Sequence, residues 1–238
     1  MTDLEPYLRD LVIANRILAR EQVVDFLGHV SVRHPDRPDR FFLSCSRSPE
    51  LVSRADIMEY DLDCNPIDQQ GRPMYFERPI HGGIYKARPD VIAVVHNHAY
   101  EVLPFALTKA KLRPVVHPAC GIGLEVPIWD IRDKFGDTNM LVTNMAQAAD
   151  LAACLGAAGA ALMAGHGSVI AGRSLREAVL TAIYIKVNAK LQSEAMQLGD
   201  VRYLTKGEIE QTSVVVNSQN SLQRAWEYWM RRADLQGI

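Results

Sequence analysis

The chain has no surplus of either charge: 26 Lys+Arg stand against 28 Asp+Glu in 238 residues, a formal net charge of -2. Nucleic acid is held largely through surplus cations, so no nucleic-acid partner is expected. Cysteine is scarce as well. Cys45, Cys64, Cys120 and Cys154 are far apart and none forms a CxxC pair, which argues against a disulfide framework and fits a reducing, cytoplasmic setting. Long apolar runs are missing: the most apolar stretch, residues 146–164, is broken by Asp150 and several glycines and falls short of a membrane span. The first residues carry Asp3, Glu5 and Asp10 rather than a basic segment followed by an apolar one, so no signal peptide is expected. Internal repeats and low-complexity tracts are absent too. What is plentiful is core-forming material, 48% hydrophobic residues in a length that suits one compact domain. That domain is expected to span 1–238, with 220–238 as its C-terminal tail.

Periodicity sketches helices between strands. Leu8, Leu11, Val12, Asn15 and Leu18 recur at helical intervals within residues 4–20, and Gly28 then precedes an alternation over 30–32. A loop rich in Arg, Pro and Asp at 33–40 leads to a second hairpin strand at 41–45 and a polar turn at 44–48. Ser53 with Asp56 has capping-box spacing, and 61–72 reads as surface loop. Residues 77–88 predict a helix stopped by Pro89, with Glu77 and His81 one turn apart on one face. Residues 91–95 are a β-branched run that fits a buried strand, and it runs into His96-Asn97-His98, where a period of two turns both histidines to one side. Further on, 102–109 predicts a short helix, 114–117 and 140–143 predict strands, and 144–157 an Ala-rich helix. Residues 160–164 predict a strand that delivers His166 in a Gly165-His166-Gly167 turn, and Ser174 with Glu177 caps a helix reaching residue 198. This pattern points to an α/β sandwich rather than a helical bundle.

His96-x-His98 is the strongest local chemical signal. Two imidazoles two residues apart on a strand grip one divalent ion, or else serve as strand-end hydrogen-bonding groups; both readings stand. His166 between two glycines is a candidate third ligand, its alternative a plain turn histidine. Glu77 is a candidate fourth ligand or a general acid and base, its alternative a solvated helix-start residue.

The run Glu77-Arg-Pro-Ile-His81-Gly-Gly-Ile-Tyr85-Lys-Ala-Arg-Pro89-Asp90-Val-Ile-Ala-Val-Val-His96-Asn97-His98, with Gly28-His-Val-Ser31-Val-Arg33 before it and Gly165-His166-Gly167 after it, resembles the class II aldolase and adducin head family over residues 8–200. The resemblance implies an α/β fold, a three-layer α/β/α sandwich with a largely antiparallel central sheet. It also implies self-association as a cyclic homotetramer, or a dimer of such tetramers, with sites at subunit interfaces. One divalent ion per chain, Mn²⁺ or Zn²⁺ ahead of Co²⁺ or Fe²⁺, would be held by His96, His98 and His166, with Glu77 as acid/base or resting ligand and no organic cofactor.

Departures from the family pattern bear on substrate. Sugar-phosphate members carry Gly-Asn, Thr-Gly and Ser-Ser where this chain has Gly28-His29, Cys45-Ser46 and Tyr75-Phe76. Two aromatics do not replace two hydroxyl donors to a phosphate, but they can wall a pocket for a flat ring. Pro118 stands where the aldolases present a tyrosine to the leaving aldehyde. These changes resemble the branch of metal-dependent decarboxylases acting on hydroxylated aromatic acids, such as 3-hydroxy-2-methylpyridine-4,5-dicarboxylate and hydroxyphthalates. Small aromatic carboxylates are then the expected substrates. His29, Ser46, Arg47, Tyr75, Phe76 and His117 are the candidate substrate contacts; the resemblance implies that the tail, 220–238, covers an active site, which makes Arg224, Tyr228 and Trp229 candidate tail contacts. The other readings are an aldolase, epimerase or dehydratase acting on a small non-phosphorylated hydroxy-carbonyl compound, and a non-catalytic adducin-like module.

Overall fold

A computed structural model describes residues 2–236; residue 1 and residues 237–238, the extreme ends of the expected domain and tail, lie outside the described residues. The strands are β1 (His29–Arg33), β2 (Arg40–Ser44), β3 (Ile57–Asp61), β4 (Ala93–Asn97), β5 (Ile128–Trp129), β6 (Ala160–Met163) and β7 (Gly167–Gly172). They form one seven-stranded sheet in the order β3-β2-β1-β4-β7-β6-β5. Every neighbouring pair is antiparallel except β5 with β6.

The helices are α1 (Leu4–Arg20), α2 (Pro79–Ala87), α3 (Leu103–Leu107), α4 (Arg132–Phe135), α5 (Met145–Leu155), α6 (Leu175–Leu198), α7 (Lys206–Val216) and α8 (Gln219–Arg232). Because strand side chains alternate, the sheet has two separate cores. Val30, Val32, Phe42, Ala93, Val95, Leu162 and Ile170 pack with α1, α6 and the buried Trp226 and Trp229 of α8. Phe41, Leu43, Met58, Val94, Ala161 and Val169 pack on the other face with α2 and α5. This is the expected three-layer α/β/α sandwich with a largely antiparallel sheet. His29, Ser31 and His96 share the α2 face by the same alternation, and the register sets His29 opposite His96.

Helix starts follow local chemistry. Asn144 accepts hydrogen bonds from the Ala146 and Gln147 amides, and Ser174 from the Glu177 amide, contacts worth about 1 kcal/mol each. The sequence reading goes astray where side chains substitute for a neighbouring strand. Residues 114–117 are not in the sheet: Asn188 and Gln192 of α6 accept from the Val115 and Arg113 amides and donate to the Arg113 and Lys111 carbonyls. Residues 140–143 are a loop rather than a strand, with Met140 at a φ of 68° and the Val142 and Thr143 amides given to Glu77 and Gln147. The helix expected from residue 77 begins only at Pro79, so Glu77 and His81 do not share a helical face. Strands β3, β5 and β7 were not expected from periodicity.

Candidate metal centre

His96 leaves β4 pointing toward α2, and its Nδ1–H donates to the Ser168 carbonyl at 3.2 Å. His166 sits in the β6–β7 turn, where its Nδ1–H donates to the Met140 carbonyl at 3.0 Å. The ring nitrogen that donates to a carbonyl is the one turned outward, so both rings present Nε2 inward. His98, just beyond β4, brings its Nε2 to 3.0 Å from that of His96, and Asp25 Oδ1 lies 3.6 Å from its outer Nδ1. Glu77 Oε1 accepts the Val142 amide at 3.0 Å, which leaves Oε2 3.5 Å from His96 Nε2 and 3.4 Å from His166 Nε2.

Glu77, His96, His98 and His166 therefore offer four ligand atoms within 4.8 Å of one another. The near separations bracket the roughly 3.3 Å edge of a tetrahedron with bonds of about 2.0–2.1 Å. Three neutral imidazoles and one carboxylate fit a divalent ion, and this donor set does not choose among Zn²⁺, Mn²⁺, Co²⁺ and Fe²⁺.

Two features of the backbone make the cluster possible. Gly165 turns at a φ of +67°, and at Gly167 an added Cβ would lie 2.2 Å from the Asn97 carbonyl oxygen and 2.9 Å from His98 Cδ2. The glycines thus let the turn and the end of β4 close on each other. Electrostatics follow from burial. Burial alone would raise the Glu77 carboxyl, but the adjoining His96 and His166 rings outweigh it and hold the group below the ordinary carboxylate range. Burial, with His96 and His166 beside it, lowers His98 to about 4. Burial, then His81 and His96, holds His29 well below the usual histidine value, and burial lowers His81 to about 3.

The cluster opens onto a cavity of about 680 Å³. Of the expected substrate contacts, His29, Ser46, Arg47, Tyr75 and Phe76 line it. Arg47 Nη1 lies 3.2 Å from Asp56 Oδ1, and the Tyr75 hydroxyl donates to the Arg47 carbonyl while accepting its amide. The Tyr75 hydroxyl is thereby committed to the loop, and its ring serves as wall. The lining also includes residues that periodicity did not select: Asp25, Phe26, Leu27 and Tyr100. Phe26, Phe76 and Tyr100 are 70%, 74% and 75% exposed, an apolar rim around the mouth. The one sequence signal for this rim was two large apolar residues, Phe26 and Leu27, in an aperiodic segment just before Gly28.

The His81 ring bonds to His29 and Ser31. The structure also gathers His117, Arg224, Tyr228 and Trp229, but along a different groove of about 980 Å³ beside α6, α7 and α8. Within this chain they do not line the cavity over the four ligands. Among the described residues, no helix is long and apolar enough to cross a membrane.

Fold and ligand set define a class of metal-binding α/β/α sandwich proteins. The chain belongs to the class II aldolase and adducin family: the Class II Aldolase and Adducin N-terminal domain matches residues 9–193. It is 35% identical to decarboxylase tropJ of Talaromyces stipitatus, over 97% of this chain and 95% of that protein. It is 28% identical to the 3,4-dihydroxyphthalate decarboxylase of Arthrobacter keyseri, over 93% and 92% of the two chains. Among solved structures, an aldolase II superfamily protein from Pseudomonas syringae shares the fold with a TM-score of 0.79 at 21% identity, covering 97% of this chain and 93% of that one. The ligand cluster and the decarboxylase relatives together support a metal-dependent activity of the lyase or aldolase type.

Proposed function

We propose that this chain is a divalent-metal-dependent decarboxylase of a hydroxylated aromatic or pyridine carboxylic acid. The observation that carries the reading is the cavity itself. The Glu77 and histidine cluster opens between aromatic walls, Tyr75 and Phe76, with Arg47 as the cation at its edge. A flat anionic ring suits that combination, and of the two decarboxylase relatives the one whose name states a substrate, 3,4-dihydroxyphthalate, matches it.

A bound divalent ion would supply electrostatic stabilisation of the negative charge that builds on the substrate as the carbon-carbon bond breaks. The remaining work falls to side chains. Glu77 is ionised in this setting, so Oε2 takes the proton of the ring hydroxyl and returns it to the ring carbon bearing the carboxylate. The bond from that carbon to the carboxylate then breaks, its electron pair restores the aromatic ring, and CO₂ leaves. The product phenolate regains a proton from water. Arg47 and Ser46 orient a further carboxylate, and the aromatic walls exclude water from the reacting face.

His117, Arg224, Tyr228 and Trp229 reach a cavity in this reading only across a subunit boundary, in a cyclic homotetramer or a dimer of such tetramers; light scattering on the purified protein tests that assembly. The reaction is tested by metal analysis coupled to a CO₂-release screen over hydroxylated benzene and pyridine dicarboxylic acids. About one metal per chain with CO₂ from one compound is the expected result; bound metal without CO₂ from any of them overturns it in favour of aldol or dehydration chemistry. Glu77→Gln is expected to keep the metal and lose about 10²- to 10⁴-fold in turnover.

A further inference from the structure

A chain of polar groups runs from the cavity into the α2 face of the sheet. His29 Nδ1 lies 2.7 Å from His81 Nε2, His81 Nδ1 lies 2.6 Å from Ser31 Oγ, and Ser31 Oγ lies 2.8 Å from the Tyr85 hydroxyl. All four residues are buried, and none of His81, Ser31 and Tyr85 lines the cavity. Buried polar chains of this kind are costly unless every member is satisfied, so their direction is constrained.

That direction can be read from the inner end. If the Tyr85 hydroxyl donates to Ser31, each later group donates to the next at short range, ending with His81 Nε2–H on His29 Nδ1. The reverse direction forces the Tyr85 hydrogen onto the Ile92 carbonyl at 3.4 Å, an oxygen that already accepts the Arg33 amide at 2.7 Å. The first direction leaves the His29 proton on Nε2. That atom takes no hydrogen-bond partner among the described residues, and His29 lines the cavity. His29 also stays outside the four-ligand group although its ring lies 5.0 Å from that of His96.

We propose that Tyr85, Ser31 and His81 are positioning residues, a one-way chain of donors that fixes His29 with its proton on Nε2 and so gives the cavity a neutral N–H donor for a carboxylate oxygen of the substrate. The inference rests on the decarboxylase reading for its ligand and deepens it. His29 recognises the anion by a directed hydrogen bond rather than by charge, and its aim is set by three residues that never touch the substrate.

The test uses the zinc-loaded, ¹⁵N-labelled protein, with imidazole ¹H–¹⁵N spectra assigned through His29→Gln and His81→Gln. The expected spectrum shows His29 and His81 both protonated at Nε2. Ser31→Ala and Tyr85→Phe, which remove a single hydroxyl, then abolish the single tautomer at both rings. The same variants raise KM for the hydroxylated aromatic acid about 3- to 10-fold, with kcat and metal content unchanged. His29→Gln, which keeps an amide donor, retains more affinity than His29→Phe. A proton on Nδ1 of His29, or tautomers and KM untouched by both hydroxyl variants, overturns the proposal. The spectra need no substrate, so an ordered relay in a protein that releases no CO₂ supports the positioning chain and removes the decarboxylase reading instead.

Discussion

The two faces of the central sheet come from the same strands and differ by one residue of alternation, yet they do different work. Val95 faces α1 and α6 in a dry apolar core, while its neighbour His96 faces α2 among His29, His98, His166 and Glu77. Both faces bury apolar side chains, but only the α2 face adds to them a histidine cluster held by directed bonds. A protein can therefore place a metal cluster within one residue of its core, because the pleat separates the two environments.

The sharpest way to break that comparison is to truncate the adjacent pair. His96→Ala is expected to abolish metal binding and lower turnover at least about 10³-fold while the chain still folds. Val95→Ala is expected to cost about 2 kcal/mol of stability and leave metal stoichiometry intact. Metal analysis and urea unfolding on both variants separate the outcomes; metal loss in Val95→Ala shows that the faces are coupled.

Gly167→Ala probes the point where the two meet. The new methyl would press on the Asn97 carbonyl and the His98 ring, neither of which is a free side-chain end. A loss of about 2–4 kcal/mol is expected together with weakened metal affinity. A stable, fully metallated variant means that β4 and β7 can part without moving His98.

The period-two placement of His96 and His98, the glycine-flanked His166 and the caps at Asn144 and Ser174 were legible in the sequence, because each depends on chemistry within a few residues. Glu77 was legible as a residue but not in its setting. Its carboxylate is aimed by the Val142 amide, 65 positions away. The strands expected at 114–117 and 140–143 failed for the same reason, since distant side chains took up their amides. β7 begins and ends on glycine, which hid it, and the rim joins Phe26 of a loop to Tyr100 at the start of a short 3₁₀ helix, a meeting that no local pattern records.

pH sharpens the comparison with a smaller effect. His81 falls from 6.5 to about 3 and His98 from 6.5 to about 4 on folding of the metal-free chain. The unfolded chain then binds more protons than the folded one between these values, so stability is greatest above about 6.5 and declines as pH drops toward 4. Glu77 acts in the same direction lower down, losing its contribution as pH falls below its unfolded value of 4.5. Val95→Ala should shift the urea midpoint equally at pH 7.5 and pH 5, whereas His81→Gln should flatten the pH dependence itself; an unchanged slope in His81→Gln removes His81 as its source.

The smallest effect concerns how the ligands are aimed. His96 and His166 are oriented by backbone carbonyls, Ser168 and Met140, which no substitution removes. His98 alone looks to a side chain, Asp25, and across 3.6 Å, longer than a firm hydrogen bond. Asp25 Oδ1 also accepts the Leu27 amide at 2.8 Å, so Asp25→Asn keeps the turn while removing the charge that faces the imidazole. Outer carboxylates of this kind are worth about 10- to 100-fold in metal affinity, and the long separation places this one near about 10-fold. Competition against a chelator of known affinity measures it. Unchanged affinity would mean that the end of β4 aims His98 unaided, and that backbone orients every imidazole of the cluster.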